Sequence, residues 1–319
     1  MKTLEKFSPM LACDFHESKI KFPCLIQPKI DGVHALNQAG KLLGRSLKAF
    51  ANKHVTALFS KPEYHGFQGE MIVGTNPSHP DLCRNTTSAL NTIEGEPHVN
   101  WWLFDYITEE TKDLPYVERI EELHKELERL DLPEGIYVVP SLLIDNLDQL
   151  NEFDSRSLSN GFEGSILRNP NLPYKFGRCG KTFMGCWRVK RFIEEEILVT
   201  AIKEGQHNNN EAKVNELGLT ERSTNKENML PNAQVGTIVG KLLKDVLEPS
   251  SGILLFSKGT EIDVSAGAMT QEERKYYFEN QDQLIGKVVK FKMFPRGIKD
   301  KPRFPTFVSI RPDFDLVDV

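Results

Sequence analysis

The stretch Pro23-Cys24-Leu25-Ile26-Gln27-Pro28-Lys29-Ile30-Asp31-Gly32 decides how this chain is read. A short apolar run bounded by prolines reads as a buried strand. A lysine directly after it is held by rigid backbone. A lysine amine can attack the α-phosphorus of a nucleotide, forming a phosphoramidate and releasing pyrophosphate. It must be neutral to do so, and desolvation, nearby cations or a metal lower its pKa. Asp31 is close enough to orient the amine, and Gly32 lets backbone approach a ligand. The same four residues also describe a surface lysine ahead of a turn, so their weight depends on the rest of the chain.

Working outward, a second strand is expected over 33–36, turning at Gly40. Apolar runs at 66–73 and 101–107, rich in aromatic and β-branched residues, favour strands. Leu114, Val117, Ile120, Leu123, Leu127 and Leu130 recur at steps of three and four, which predicts a helix stopped near Pro133. A strand is expected over 138–144 and a helix over 147–158. After Lys190 the composition changes. Residues 205–233 are polar and long for a connection, and such a segment is expected to be disordered in the free protein. Short strand candidates lie beyond it at 236–243, 252–256, 261–264, 287–293 and 306–310, the spacing of a small β-barrel. The expectation is an α+β domain over 1–190 and a barrel domain over 191–319, its early strands interrupted by the insertion at about 205–233.

The bulk numbers set limits. The 319 residues are 39% hydrophobic and 27% charged, with net charge −5 and pI about 6.0. This is an ordinary globular composition, and no apolar run is long enough to cross a membrane. The first ten residues lack an apolar signal core. Cys13, Cys24, Cys83, Cys179 and Cys186 form no CxxC pair, so a reducing cytoplasm is expected, that of the host cell if the gene is viral or phage-borne. The overall acidity argues mildly against a nucleic-acid-coated surface. The local exception is Lys287, Lys290, Lys292, Arg296, Lys299, Lys301 and Arg303, against Asp300 alone. That run is either a solvated strand and loop or a phosphate-tracking surface.

Further pieces come in order: Gly69-Glu70, Phe104-Asp105-Tyr106, Gly161-Phe162-Glu163-Gly164-Ser165-Ile166-Leu167-Arg168, Tyr174-Lys175-Phe176-Gly177-Arg178 and Trp187-Arg188-Val189-Lys190. They supply carboxylates for ribose or metal, an aromatic for base stacking and cations for phosphates, the parts that nucleotidyl transfer requires. With these motifs in this order the chain resembles the covalent nucleotidyltransferases, which comprise DNA ligases, RNA ligases and capping enzymes. It looks most like the minimal, virus-type ATP-dependent DNA ligases. Ser159-Asn160-Gly161-Phe162-Glu163-Gly164, Gly286-Lys287-Val288-Val289-Lys290-Phe291-Lys292 and Pro302-Arg303-Phe304-Pro305 with Ile310-Arg311 carry that likeness through the chain.

The resemblance implies an adenylation domain followed by an OB-fold barrel, and sealing of nicked duplex DNA with ATP and Mg²⁺ or Mn²⁺. It implies that Lys29 takes AMP with Asp31 and Lys190 as catalytic partners, and that Glu70 binds ribose. Phe104 would stack on adenine, Arg188 and Lys190 would meet phosphate, and Glu163 would help hold the metal. Arg311, with Asp313, would orient pyrophosphate. His34, Arg45 and Arg178 would contact the nick. The insertion, around Arg222 and Lys226, would be a latch with which a monomer encircles DNA. Three positions depart from the family pattern. His34 stands for an arginine, Gln68 for an aspartate and Arg188 for a lysine. If His34 grips the nick as a cation, sealing is expected to weaken as pH rises through about 6.5, and His34→Arg to seal as well or better. The alternatives are an RNA ligase or capping guanylyltransferase, and a ligase-like DNA-binding protein weakened in catalysis.

Overall fold

The computed structural model describes residues 7–130, 134–180, 182–249, 252–295 and 301–312. The chain divides into two compact units, Met1–Lys190 and Arg191–Val319. In the first unit the strand Cys24–Pro28 turns Cys24 and Ile26 into a core with Ile144, Leu150, Leu167, Trp187 and Val189. It lies in a five-stranded sheet ordered Cys13–Asp14, Cys186–Lys190, Gly164–Arg168, Cys24–Pro28, Leu142–Ile144. The helix Leu147–Ser159 packs Leu150 into that core. It starts at Asn146, whose side chain accepts the Gln149 backbone N–H and so satisfies one of the orphan donors of the first turn.

A second five-stranded sheet is ordered Lys41–Gly44, Val33–Gln38, Phe67–Val73, Val99–Tyr106, Ile136–Val138. Ala35, Leu42, Phe67, Met71, Trp101 and Leu103 bury one face of it. The helix Tyr116–Arg129 lays Leu123 on this core, flanked by Ile120 and Leu127, as the three-and-four spacing requires. Leu114 falls outside the helix, because Pro115 occupies its N-cap position. The strand expected over 138–144 is two strands in different sheets. Pro140 lies between them and has no N–H with which to continue a ladder.

A polar network joins the two sheets. Asp105, fully buried in the second sheet, accepts Arg119 Nε at 2.7 Å and Nη2 at 3.0 Å, and Arg168 Nη1 of the first sheet at 3.4 Å. Arg168 Nε donates to Gln27 Oε1 at 3.3 Å, and Gln27 Nε2 donates to the Tyr116 hydroxyl at 3.0 Å. That hydroxyl donates to the Phe104 carbonyl at 2.9 Å.

The second unit is a closed five-stranded barrel, ordered Ile193–Asn208, Met229–Leu242, Glu261–Ser265, Arg303–Ile310, Val288–Phe294. Ile197, Val199, Ile238, Val264, Val289 and Phe291 fill it. The candidate at 252–256 is not a barrel strand. Leu254–Phe256 pairs with Val246–Leu247 in a separate two-stranded ladder. The helix Gln271–Glu279 is not among the expected elements, although Thr270 and Glu273 form a reciprocal capping box that the sequence displays.

The insertion at 205–233 is not a structureless loop here. The first two barrel strands continue past the barrel, pairing Gln206 with Pro231 and Asn208 with Met229, and a hairpin of Ala212–Val214 with Thr220–Arg222 extends from them. Buried Asn210 organises this arm. Its Nδ2 donates to Asn208 Oδ1 at 2.8 Å and to the carbonyls of Ser223 and Asn225 at 3.0 and 2.9 Å. Side-chain amides thus do for the arm what an apolar core does elsewhere, which the polar composition concealed.

Removing the Asp105 carboxylate leaves two buried guanidinium groups without their counter-charge. Asp105→Ala is expected to lower unfolding stability by about 3–5 kcal/mol, read as a shift in the urea midpoint. A loss below about 1 kcal/mol, the range of an exposed ion pair, would show that Asp105 does not tie the sheets.

Candidate active site

Backbone ladders bring the motif residues of the first sheet to one level. The Lys29 N–H donates to the Gly164 carbonyl at 2.9 Å and the Glu163 N–H to the Lys29 carbonyl at 3.1 Å, while Lys190 pairs with Gly164 on the other side. Gly164 has φ +145°, and a Cβ there would lie 2.3 Å from the Val189 carbonyl, so no other residue fits between Lys29 and Lys190. As a result the Glu163 carboxylate bridges two ammonium groups, Lys29 Nζ on one oxygen and Lys190 Nζ on the other. Gly32 has a different reason from the one expected. Its Cβ would lie 2.3 Å from the Met71 carbonyl, so it serves close strand packing.

The second sheet faces the same cleft. His34 pairs with Glu70 across neighbouring strands. The pairing of Phe67–Val73 with Val99–Tyr106 skips from Gln68–Asp105 to Gly69–Leu103. Phe104 is therefore the extra residue of a β-bulge, which re-aims its side chain. Lys29, His34, Arg45, Glu70, Phe104, Arg168, Arg178 and Arg188 all line this cleft. The Arg168 guanidinium lies 5.0 Å from the Phe104 ring centre, within cation–π range. Arg168 and Gln27 also line the cleft, although sequence reasoning gave neither a role. Both lie inside the quoted motifs, but their contacts are made only by the meeting of the two sheets.

The charge states follow from this packing. Burial pushes the Lys29 amine down, but the neighbouring carboxylates, Glu163 first, outweigh it and the net shift is upward. The ligand-free amine is therefore an ammonium, contrary to the lowered pKa expected of a ready nucleophile. Burial pushes Glu163 up, and Lys29 and Lys190 overcome this to bring it to about 2. Glu70 is raised to about 8, by burial first and then by the charges of Asp31 and Glu163. His34 is lowered to about 3, by burial first and then by Arg45 and Arg168. These surroundings favour the neutral imidazole over the cation expected to titrate near 6.5.

The remaining expected residues are spread over both units. Arg188 Nε pairs with Asp14 at 2.6 Å, and Arg178 Nη1 donates to the Ala12 carbonyl at 3.2 Å. In the second unit, Arg311 pairs with Glu196 at 2.7 Å. Arg222 donates to the Asn210 carbonyl within the arm, and Lys226 is exposed in the turn Lys226–Asn228. Lys290 and Lys301 of the basic run pair with Glu194 and Asp263. Asp313, Arg296 and Lys299 lie outside the described residues. Both Glu163 oxygens are engaged by ammonium groups, and among the described residues no group of three or more His, Cys, Asp or Glu could hold a metal. No described helix is long and apolar enough to cross a membrane.

No protein-family model and no curated protein sequence matches the chain. Among solved structures, Chlorella virus DNA ligase-adenylate is similar over 96% of this chain and 99% of that one, at 25% identity and TM-score 0.51. A Lig E DNA ligase, described as binding DNA with a minimal scaffold, is similar over 97% and 100%, at 18% identity and TM-score 0.67. The scaffold is that of a nucleotidyltransferase-like α+β unit followed by an OB-type barrel. The resemblance to solved DNA ligases extends over nearly the whole chain.

The state of Glu70 is measurable in the free protein. Its folded pKa lies above the ordinary value of 4.5, so its contribution to stability is full below that value and is lost as pH rises through about 8. Glu70→Gln removes this dependence. Its melting temperature relative to the wild-type protein is expected to climb between pH 5 and 8. Parallel curves for the two proteins would mean that Glu70 ionises normally.

Proposed function

We propose that the chain is an ATP-dependent DNA ligase that seals 3′-hydroxyl/5′-phosphate nicks in duplex DNA through a lysyl-AMP intermediate. The observation that carries this reading is the Lys29–Glu163–Lys190 bridge, whose Lys29 lines a cleft that also presents Phe104, Glu70 and arginines, with Glu163 and Lys190 behind it. It is supported by the fold shared with DNA ligases, one of them solved as an adenylate.

In this mechanism the Lys29 ammonium first gives up a proton. Its nitrogen attacks the α-phosphorus of ATP, the Nζ–P bond forms, and the bond to the β-phosphate oxygen breaks to release pyrophosphate. A 5′-phosphate oxygen of the nick then attacks the same phosphorus and Lys29 leaves. Finally the 3′-hydroxyl attacks the activated 5′-phosphate, loses its proton and expels AMP. Lys190 would meet the α-phosphate, Phe104 would stack on adenine and Glu70, its pKa raised to about 8, would bind ribose as a protonated carboxyl. Arg45 and Arg178 offer bidentate donors to a phosphate. A divalent ion entering with the triphosphate would neutralise phosphate charge, and Glu163 could join it only by releasing an ammonium group. In this reading the domains are 1–190 and 191–319, and the arm at 205–233 closes a monomer around the duplex.

Incubation with α-labelled ATP should label the protein, and Lys29→Ala should abolish the label; undiminished labelling of that variant rejects the nucleophile. Wild-type protein should seal a labelled nicked DNA duplex with ATP and a divalent ion. Labelling by GTP alone would favour a capping enzyme, and preference for a nicked RNA duplex an RNA ligase.

Replacing the arm by a short Gly-Ser bridge should leave labelling of Lys29 nearly unchanged. The same deletion should weaken binding of nicked duplex and reduce its salt slope, by about one for each phosphate that the arm neutralises. Unchanged affinity, together with equal proteolysis of the intact arm with and without DNA, would exclude a clamp.

A further inference from the structure

His34 and Gln68 depart from the family pattern at separate places in the sequence, but in the fold they touch. His34 pairs with Glu70 and Leu36 with Gln68, so His34 and Gln68 are diagonal neighbours on one face of the second sheet. Their Nε2 atoms are 2.8 Å apart. At its other end Gln68 Oε1 is 3.0 Å from the Tyr174 hydroxyl, which in turn is 2.6 Å from the Met10 backbone nitrogen.

The direction of this chain is fixed at its first member. A peptide N–H can only donate, so the Tyr174 oxygen accepts from Met10 and turns its own proton to Gln68 Oε1. The Gln68 amide then presents its NH₂ to His34. The imidazole Nε2 must be the bare, accepting nitrogen, and the ring proton sits on Nδ1. That atom is buried and, among the described residues, makes no well-formed hydrogen bond, although the backbone of His34 itself attracts a ring proton. The ring lines the cleft, with Phe104 5.8 Å away. Arg45, Arg168 and Glu70 lie around it.

We propose that Met10, Tyr174 and Gln68 lock His34 in the Nδ1–H tautomer, as an uncharged donor to a phosphate oxygen bound in the cleft. His34 and Gln68 then form a matched neutral pair in which neither member accepts a charge alone. The phosphate acceptor rests on the ligase reading; the tautomer and the pairing do not. An arginine at position 34 would set a third guanidinium beside Arg45 and Arg168 and face the Gln68 NH₂ donor to donor. A glutamate at position 68 would set a carboxylate against the imidazole lone pair. Together the two changes satisfy each other. Gln68 and Tyr174 are positioning residues, since they act only through His34.

The first test needs no activity. Imidazole ¹⁵N spectra of the full chain, with His34 assigned by the loss of its signals in His34→Asn, should show a bare Nε2 and a protonated Nδ1. They should not titrate between pH 5 and 8. Gln68→Glu should move the proton to Nε2 or bring in a titration, and Tyr174→Phe should mix the tautomers by freeing the Gln68 amide. A protonated Nε2 or an imidazolium in the wild-type protein overturns the proposal, whatever becomes of the ligase reading.

The second test compares labelling of Lys29 by ATP with sealing of a pre-adenylated nick. His34→Arg and Gln68→Glu should each lose about tenfold or more in at least one of them, and the double variant should recover to within about threefold of wild type. Losses that simply multiply in the double variant overturn the pairing. His34→Asn, whose amide nitrogen falls near the Nδ1 position, should retain more activity than His34→Gln, whose nitrogen falls near Nε2; the reverse order overturns the donor assignment. A defect confined to labelling identifies a nucleotide phosphate as the acceptor, and one confined to sealing a DNA phosphate. Where a variant melts too low for assay, the wild-type ¹⁵N spectra decide.

Discussion

The buried Asp105 carboxylate ties the two sheets of the first unit by charge, beside a small apolar cluster of Ile30, Ile72, Leu82 and Val139. Each sheet has its own core, one around Trp187 and Leu167 and the other around Trp101 and Met71. Between them lie the cleft and the cluster of Ile30, Ile72, Leu82 and Val139 flanked by Phe104 and Phe162, so apolar packing closes only part of that face. Asp105 resolves this by holding Arg119 on its own side and Arg168 on the other. The guanidinium of Arg168 is thereby parked beside Phe104 and Tyr116, and Gln27 extends the network to the residues just before Lys29. A directional, fully paired polar network fixes the spacing of two sheets without filling the space between them. It also makes the floor of the cleft rigid where Lys29 and Phe104 emerge from it.

Within that frame the cleft is arranged around one carboxylate shared by two ammonium groups. Glu163 keeps Lys29 and Lys190 at fixed places despite their mutual repulsion. The same attraction favours the protonated Lys29, so on the ligase reading the free protein would hold its nucleophile as the ammonium. An incoming triphosphate brings negative charge that competes with Glu163 for both lysines. In the ligase reading the substrate thus takes part in making its own nucleophile, and the burial of Lys29 then works in the direction of the neutral amine.

The parts of this architecture legible in the sequence are those set by local periodicity and motif order. The run ending at Lys29, the helix built on Ile120, Leu123 and Leu127, and the late barrel strands each follow from side-chain alternation within a dozen residues. What was not legible depends on what lies across the fold. Gly32 looked like a residue making room for a ligand, and only the crossing of the Met71 strand shows whose atoms it makes room for. The segment 138–144 looked like one strand because its apolar content is continuous, while Pro140 hands the chain from one sheet to the other. The arm looked disordered because its stabilising groups are amides, whose value depends on finding partners such as those Asn210 finds. Charge states were the least legible, since Lys29 is raised and His34 lowered by neighbours far away in sequence.

On the ligase reading, the neutrality of the His34–Gln68 pair is intelligible from what a phosphate site must do in turnover. Lys29, Arg45, Arg178 and Arg188 line the cleft and already make it attractive to anions. Another permanent cation would bind substrate, intermediate and released nucleotide more tightly alike, and uniform binding of that kind does not raise turnover. A neutral donor contributes direction with little added attraction at long range, because its hydrogen bond falls off steeply with misalignment. Its usefulness depends on the proton being on the correct nitrogen, and an isolated imidazole does not guarantee that. The chain from Met10 through Tyr174 and Gln68 supplies the guarantee from a peptide N–H, the one donor in the series that cannot reverse its role.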